Sequence, residues 1–381
     1  MKGVEQALPS RVARPTGRRK KNQTGRIILW CLSLTILSLA SGLGLQGQGT
    51  AQDPGPRTGT PDAGKPIPGL DGAQLSYFQD GQNRFQEVEG VTGGDPAGLG
   101  PTFNSDSCVS CHANPAIGGS SPAVNPQIQV ANANGATNVI PSFISLNGPV
   151  REARFKFVVG PNGRITDTPD GGVHALFTIQ GRSDAQGCQM AEPDFDRMVR
   201  QDNVSFRIPT PTFGLGLVES IDESTILANL TAESAWRRFL GISGHANRSG
   251  NDGSITRFGW KAQNKSLMVF SGEAYNVEMG VTNEMFPNER GYPPTPIPAS
   301  CLFNQSPEDG TNFDASATTG VSSDAVGFSI FMRLLDQPTP SCTGSGCSAS
   351  IQNGRHIFTD VAKCSVCHTP SMKTGKSYVA A

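Results

Sequence analysis

Charge is scarce in this chain. Asp, Glu, Lys and Arg make up only 17% of its 381 residues, and the aromatics 7%. With a formal net charge of −1, it lacks the basic stripe of a nucleic-acid binder. Three catalytic signatures are missing as well: a Walker loop, a metal-binding HExxH helix and a recognisable nucleophile triad. Gly214-Leu215-Gly216 is a fragment of a dinucleotide fingerprint without its remaining glycine or its strand–helix setting. Histidine is limited to five residues, which leaves few imidazoles for any ligand role.

Turn-forming residues are abundant. Gly (45) and Pro (28) together make about a fifth of the sequence, which suits a loop-rich globular protein. The length allows two domains or one large, insertion-rich one. The small net charge conceals an uneven distribution. Residues 1–51 carry eight Lys or Arg against Glu5 alone, so the remainder stands near −8. The basic stretch leads into the uncharged, Leu/Ile-rich segment 27–45 and then Gly49-Thr50-Ala51, the pattern of an export signal cleaved near Ala51. An uncleaved membrane anchor is the alternative, because 19 residues are long enough to span a bilayer. Both readings export the body, to the periplasm or an equivalent compartment. Residues 52–69, rich in Pro and Gly, read as a solvated linker.

Two pentapeptides carry the chemistry: Cys108-Val109-Ser110-Cys111-His112 and Cys364-Ser365-Val366-Cys367-His368. In a C-x-x-C-H segment the two thiols can bond to the vinyl groups of one haem while the imidazole ligates its iron. The expectation is two covalently bound haem c groups, with His112 and His368 as iron ligands. Zinc held by both cysteine pairs, or a redox dithiol, are the alternatives. Zinc would need two segments about 250 residues apart to meet, and it leaves the adjacent histidines unexplained. Of the other cysteines outside the leader, Cys342 and Cys347 enclose a short flexible loop and are expected to pair, which leaves Cys188 and Cys301 as a second bridge or as free buried thiols.

Each motif follows a G-x-x-x-F pattern, Gly81 to Phe85 and Gly354 to Phe358, read as a short helix that brings an aromatic near the motif. The second copy is compact, and the first contains an inserted loop. Leu75–Phe78 and 328–335 have helical spacing, while 154–159 and 174–179 read as short strands. The fold class expected is mainly α with much loop: cytochrome c-like haem domains bearing a large loop and β-hairpin insertion. The first domain is placed at 70–340 and the start of a second, incomplete one at 341–381. The sequence stops 13 residues after His368, where a cytochrome c domain uses roughly the next 50 to cover its haem. That reads as a fragment or truncated product, with a naturally open second haem as the alternative.

Several segments resemble the di-haem c-type oxidoreductases of the peroxidase or thiol oxidoreductase kind. They are 103–108, 112–119, 125–128, 171–177, Arg207 to Glu219, 257–262 and 278–282, in family order over about residues 70–381. More distantly the chain is similar to bacterial di-haem cytochrome c peroxidase. The resemblance implies two haems with different tasks, one passing electrons and one meeting peroxide. It also implies a Trp between the haems, at Trp260, and a Glu over the reactive haem, at Glu278. Glu278 would then shuttle the proton and Trp260 would relay electrons, with a capping carboxylate and a packing indole as the structural alternatives. The peroxidases place a Gln upstream of that Glu, where Phe270 stands here. Distal ligands are sought among His174, His245 and Met279, since His356 lies on the motif's own side. A five-coordinate iron is the remaining option.

The function expected is an exported di-haem peroxidase-like enzyme that draws electrons from a small cytochrome or cupredoxin and reduces peroxide. A plain electron-transfer cytochrome and an inactive fragment are the alternatives.

Overall fold

The computed structural model describes residues 63–375, apart from residues 94, 95, 233, 317, 340 and 343. The basic leader, segment 27–45 and most of the 52–69 linker lie outside the described residues. Among the described residues no helix is long and apolar enough to cross a membrane.

Short helices dominate the element list. They are α1 (Gly72–Arg84), α2 (Cys108–Cys111), α3 (Gln127–Val130), α4 (Phe195–Arg200), α5 (Leu215–Glu219), α6 (Glu223–Ala232), α7 (Ser234–Phe239), α8 (Leu267–Met279), α9 (Thr318–Val321), α10 (Asp324–Leu334) and α11 (Ala349–His356). The strands are β1 (Thr102–Phe103), β2 (Glu152–Phe155), β3 (Phe157–Val159), β4 (Ile165–Pro169), β5 (Val173–His174), β6 (Phe177–Thr178) and β7 (Val204–Arg207). They form three small antiparallel sheets, β1–β6, β5–β2–β7 and β3–β4.

The mainly-α, cytochrome c-like expectation is corrected here. The described residues are 33% helical and 11% strand, with several sheets and much loop. The physical reason is the supply of Gly and Pro, which ends helices after a turn or two. Strand pairing between distant segments then fills part of the gap, as where β2 registers Glu152 against Arg207 and Phe155 against Val204.

Three longer helices build the core. α1 starts at a capping box, in which the Asp71 carboxylate accepts from the Gln74 N–H and the Gln74 side chain accepts from the Asp71 N–H. α10 packs on both α1 and α8. It approaches α1 so closely that a Cβ on Gly81 would lie 2.3 Å from the Gly327 carbonyl oxygen. Phe78, Phe85, Phe328 and Phe331, all buried, interlock across this contact with centroids 5.1–6.1 Å apart. Each such ring contributes roughly 1.5–3 kcal/mol by leaving water.

α8 is capped by the Ser266 hydroxyl and stops at Gly280, whose φ of +73° suits glycine. Beyond it the chain turns back against Gly100, whose would-be Cβ meets the Gly280 carbonyl at 2.4 Å. The Gly100 N–H donates to the Met279 carbonyl at 3.1 Å. This close backbone approach ties the end of α8 to the loop that leads into the first Cys pair.

Cys342–Cys347 forms the expected disulfide, and Cys188–Cys301, left open between a bridge and free thiols, forms a second one.

Candidate functional site

The first motif lies at the wall of a cavity of about 1020 Å³, as large as the upper end of ordinary ligand sites. α2 folds Cys108–Cys111 into one turn, closed when the His112 N–H donates to the Cys108 carbonyl at 3.1 Å. Cys108, Cys111 and His112 all line the cavity. His112 Nδ1 donates to the Gly119 carbonyl at 2.9 Å, which leaves the other ring nitrogen as the one available for a metal. Burial lowers the His112 pKa, against the pull of the Gly119 and Thr210 carbonyls, so the ring stays in its neutral, ligating form. Phe85, at the end of α1, meets its face edge-on at 6.1 Å.

Burial pushes the Cys111 thiol up to about 12, and the Cys108 thiol is raised by the same cause. Neutral thiols of this kind are poor redox dithiols and poor zinc ligands. Nor does any set of cysteines and histidines among the described residues bring three donor atoms within 4.8 Å of one another. The zinc reading therefore finds no geometry among the described residues, and raised thiol pKa values disfavour a redox dithiol at the first motif. Two partly buried thiols, a neutral imidazole and a large adjoining cavity fit a haem.

Glu278 lines the same cavity. It sits near the end of α8, and its position is fixed by backbone: its carbonyl accepts from the N–H of Asn104 at 2.7 Å and of Ser105 at 3.3 Å. The Asn104 side chain donates to Glu278 Oε2 at 2.8 Å and accepts from the Leu176 N–H at 2.9 Å. Burial lifts the Glu278 pKa well above the usual carboxylate range, and the nearby Glu152 carboxylate lifts it further. The Asn104 bond and Arg154 oppose the shift without cancelling it. A carboxyl held protonated near neutrality beside an open cavity is equipped to give up and take back a proton.

Trp260 also faces the cavity, in a tight turn where Lys261 and Ala262 both take left-handed backbone, φ +52°. Two successive non-glycine residues in that region store strain. The indole is surrounded by cations: Arg154 at 4.8 Å, Arg207 at 5.2 Å and Lys261 at 5.8 Å from its ring centre. Adjacent strands β2 and β7 carry Arg154 and Arg207, and both guanidinium groups share Glu152, at 2.5 Å and 3.9 Å. Arg151, Arg257 and Arg290 line the cavity too, so its wall is basic although the body is acidic. Phe270, at the position expected to hold Gln in the peroxidases, is part of this wall and packs on Phe258 at 6.3 Å.

The second motif repeats the first locally. The His368 N–H donates to the Cys364 carbonyl at 2.8 Å, and Phe358 lies 6.4 Å from the His368 ring. Its surroundings differ. Cys367 and His368 are exposed, and Val366 alone of the motif is buried. It rests on α6 and α7, where Arg237 donates to the Val366 carbonyl at 3.1 Å and Thr369 to Asn229 at 3.0 Å. Exposed Ile357, Phe358 and Val361, with Trp236 and Phe239 of α7, leave apolar surface around it.

The other histidines stand apart from the cavity wall. His174 stacks on Phe155 at 3.9 Å and bonds Asp170 through Nε2 at 3.0 Å. His245 is exposed, and so is His356, which pairs with Asp360. Met279 does line the cavity, with its sulfur 3.8 Å from the Cys108 sulfur. The structure thus gathers Cys108, Cys111, His112, Trp260, Glu278 and Met279 at one site and places Cys364, Cys367 and His368 at another. Asn104, Glu152, Arg154 and Arg207 were not read as functional. Asn104 and Arg207 fall within segments that carry the family resemblance, whereas nothing in the sequence marked Glu152 and Arg154.

Comparison with known proteins gives a family whose description is "Di-haem oxidoreductase, putative peroxidase", matched over residues 167–380. The match takes in Trp260, Glu278 and the second motif. No curated protein and no solved structure matches the chain.

Proposed function

The chain belongs to the di-haem oxidoreductase family, and from that premise we propose that it is an exported c-type peroxidase-like enzyme with two unequal haem sites. The observation that carries this reading is the shared cavity, which has thiols and an imidazole of the first motif on one part of its wall and the half-buried Glu278 carboxyl on another.

In this reading Cys108 and Cys111 bond one haem covalently and His112 ligates its iron; Cys364, Cys367 and His368 serve the second. Bound at the first site, haem supplies the iron on which peroxide is reduced. The chain's own residues do the rest. Glu278 holds a proton at its carboxyl and passes it between peroxide oxygens. Asn104 fixes Oε2 and thereby aims the group. The arginines of the cavity wall suit the carboxylates of a porphyrin, and Trp260, on the same wall, is the residue assigned to electron relay in this reading. Phe270, apolar and close by, excludes water on that side instead of sharing the proton transfer.

The exposed second motif suits electron entry from a small soluble donor of cytochrome or cupredoxin type, and the acidic body favours a basic one. Two disulfides support an oxidising compartment outside the cytoplasm.

The test is spectroscopic. A pyridine hemochrome assay on denatured protein should return about two equivalents of covalently held haem. The native ferric protein should then show a high-spin band that shifts on addition of peroxide. A chromophore that washes out on denaturation ends the reading. Purely low-spin spectra with no response to peroxide leave an electron carrier instead.

A further inference from the structure

Next to the first motif lies an acidic cluster that the peroxidase reading does not use. Glu89 is only 3% exposed. Its Oε1 accepts from the Tyr275 hydroxyl at 2.8 Å, while its Oε2 is buried with no donor in reach. The same hydroxyl lies 3.2 Å from Asp324 Oδ2, so one proton faces two carboxylates. Asp309, also buried, spends its oxygens on the N–H groups of Asp324 and Ala325. The nearby cation is Arg84, whose guanidinium is divided between Asp80, Asp324 and the carbonyls of Ser322 and Thr319. Glu87, Glu89 and Asp324 each bring one oxygen within 4.8 Å of the other two.

A buried carboxylate oxygen without a partner costs several kcal/mol unless something positive meets it. We propose that Glu87, Glu89 and Asp324 hold a calcium ion. The donors are all hard oxygens, which disfavours the softer transition metals. Oxygens up to 4.8 Å apart are bridged by an ion that binds at about 2.3–2.6 Å, whereas magnesium at about 2.0–2.1 Å needs a tighter cage. Backbone carbonyl and water oxygens complete the shell.

The position gives the ion a task. Segment 85–89 hydrogen-bonds directly to the motif, Val109 N–H to the Phe85 carbonyl at 3.1 Å and Glu89 N–H to the Asp106 carbonyl at 2.8 Å. An ion on Glu87 and Glu89 ties that segment to α10 through Asp324, and Tyr275 brings in α8. It therefore steadies the backing of the first motif through carboxylates that do not line the cavity, and the proposal stands independently of the peroxidase reading.

The experiment uses the full haem-loaded protein. It is stripped with EGTA, re-equilibrated with calcium or magnesium, desalted, and its metal content measured by mass spectrometry. Thermal unfolding is followed in millimolar calcium and in EGTA. The expected result is about one calcium per chain and a Tm several degrees higher with calcium. Both should be lost in Glu89→Gln and weakened in Glu87→Gln, with the Soret band and far-UV CD retained. No retained calcium and equal Tm values in calcium and EGTA overturn the site. Equal retention of magnesium overturns the choice of ion, and calcium binding untouched by both variants overturns its placement. If Glu89→Gln does not fold, the unmutated protein and Glu87→Gln decide.

Discussion

At the scale of single residues, the candidate site depends on how Glu278 is held. Two backbone hydrogen bonds fix its carbonyl and Asn104 fixes its carboxyl. Glu278→Gln keeps the shape and the Asn104 contact but removes the ionisable proton. Peroxide-driven turnover should fall by about 10²–10⁴ with the Soret band unchanged; steady-state rates on the purified variant check this, and an unaltered rate removes the assignment. The cysteines and motif histidines were legible from spacing alone, because C-x-x-C-H is contiguous. Glu278 and Trp260 were legible only through resemblance. Asn104 was not recognised, since its role depends on Leu176 and Glu278, 72 and 174 positions away. No local pattern encodes such a meeting.

Among the elements, helix and strand positions followed from periodicity where the apolar spacing was strong. α1 and α10 fall over the helix-spaced segments, and β2, β3, β5 and β6 over the two strand-like ones. The class assignment failed because most elements are too short to show a period, and because strand partners such as β1 and β6 come from distant segments. The α1–α10 contact is the most sensitive joint, with Gly81 against the backbone of Gly327. Gly81→Ala gains helix propensity yet must push the helices apart, so a net loss of about 1–3 kcal/mol is expected. Denaturant unfolding against the parent chain measures it. A neutral or stabilised variant would mean that the two helices are not in this close contact.

For the whole molecule, the two disulfides should differ in weight. Cys188–Cys301 joins residues 113 apart, whereas Cys342–Cys347 closes a separation of 5. The paired change Cys188→Ala and Cys301→Ala should cost about 2–4 kcal/mol in chemical unfolding, and loss of the short bridge less. Stability should also depend on pH in a definite direction. Burial, helped by Glu308, raises Glu289 from 4.5 to about 7, and Glu278 moves the same way. Such groups bind protons more tightly when folded, so their favourable contribution is complete below 4.5 and is lost as pH rises through about 7. These carboxyls should therefore lower Tm between about pH 5 and 8, against the opposite pull of His112 and His174; Glu289→Gln should weaken the fall, and a pH profile unchanged by that substitution would contradict its environment. The placing of Cys108 and Cys111 on the inner wall of a cavity has a consequence during biogenesis. Their sulfurs are partly accessible, but only through that cavity, so a maturation enzyme that must grip the segment works best before the polypeptide has closed, and attachment competes with folding. Slowing the supply of porphyrin should then accumulate a folded, colourless product that later addition converts only slowly.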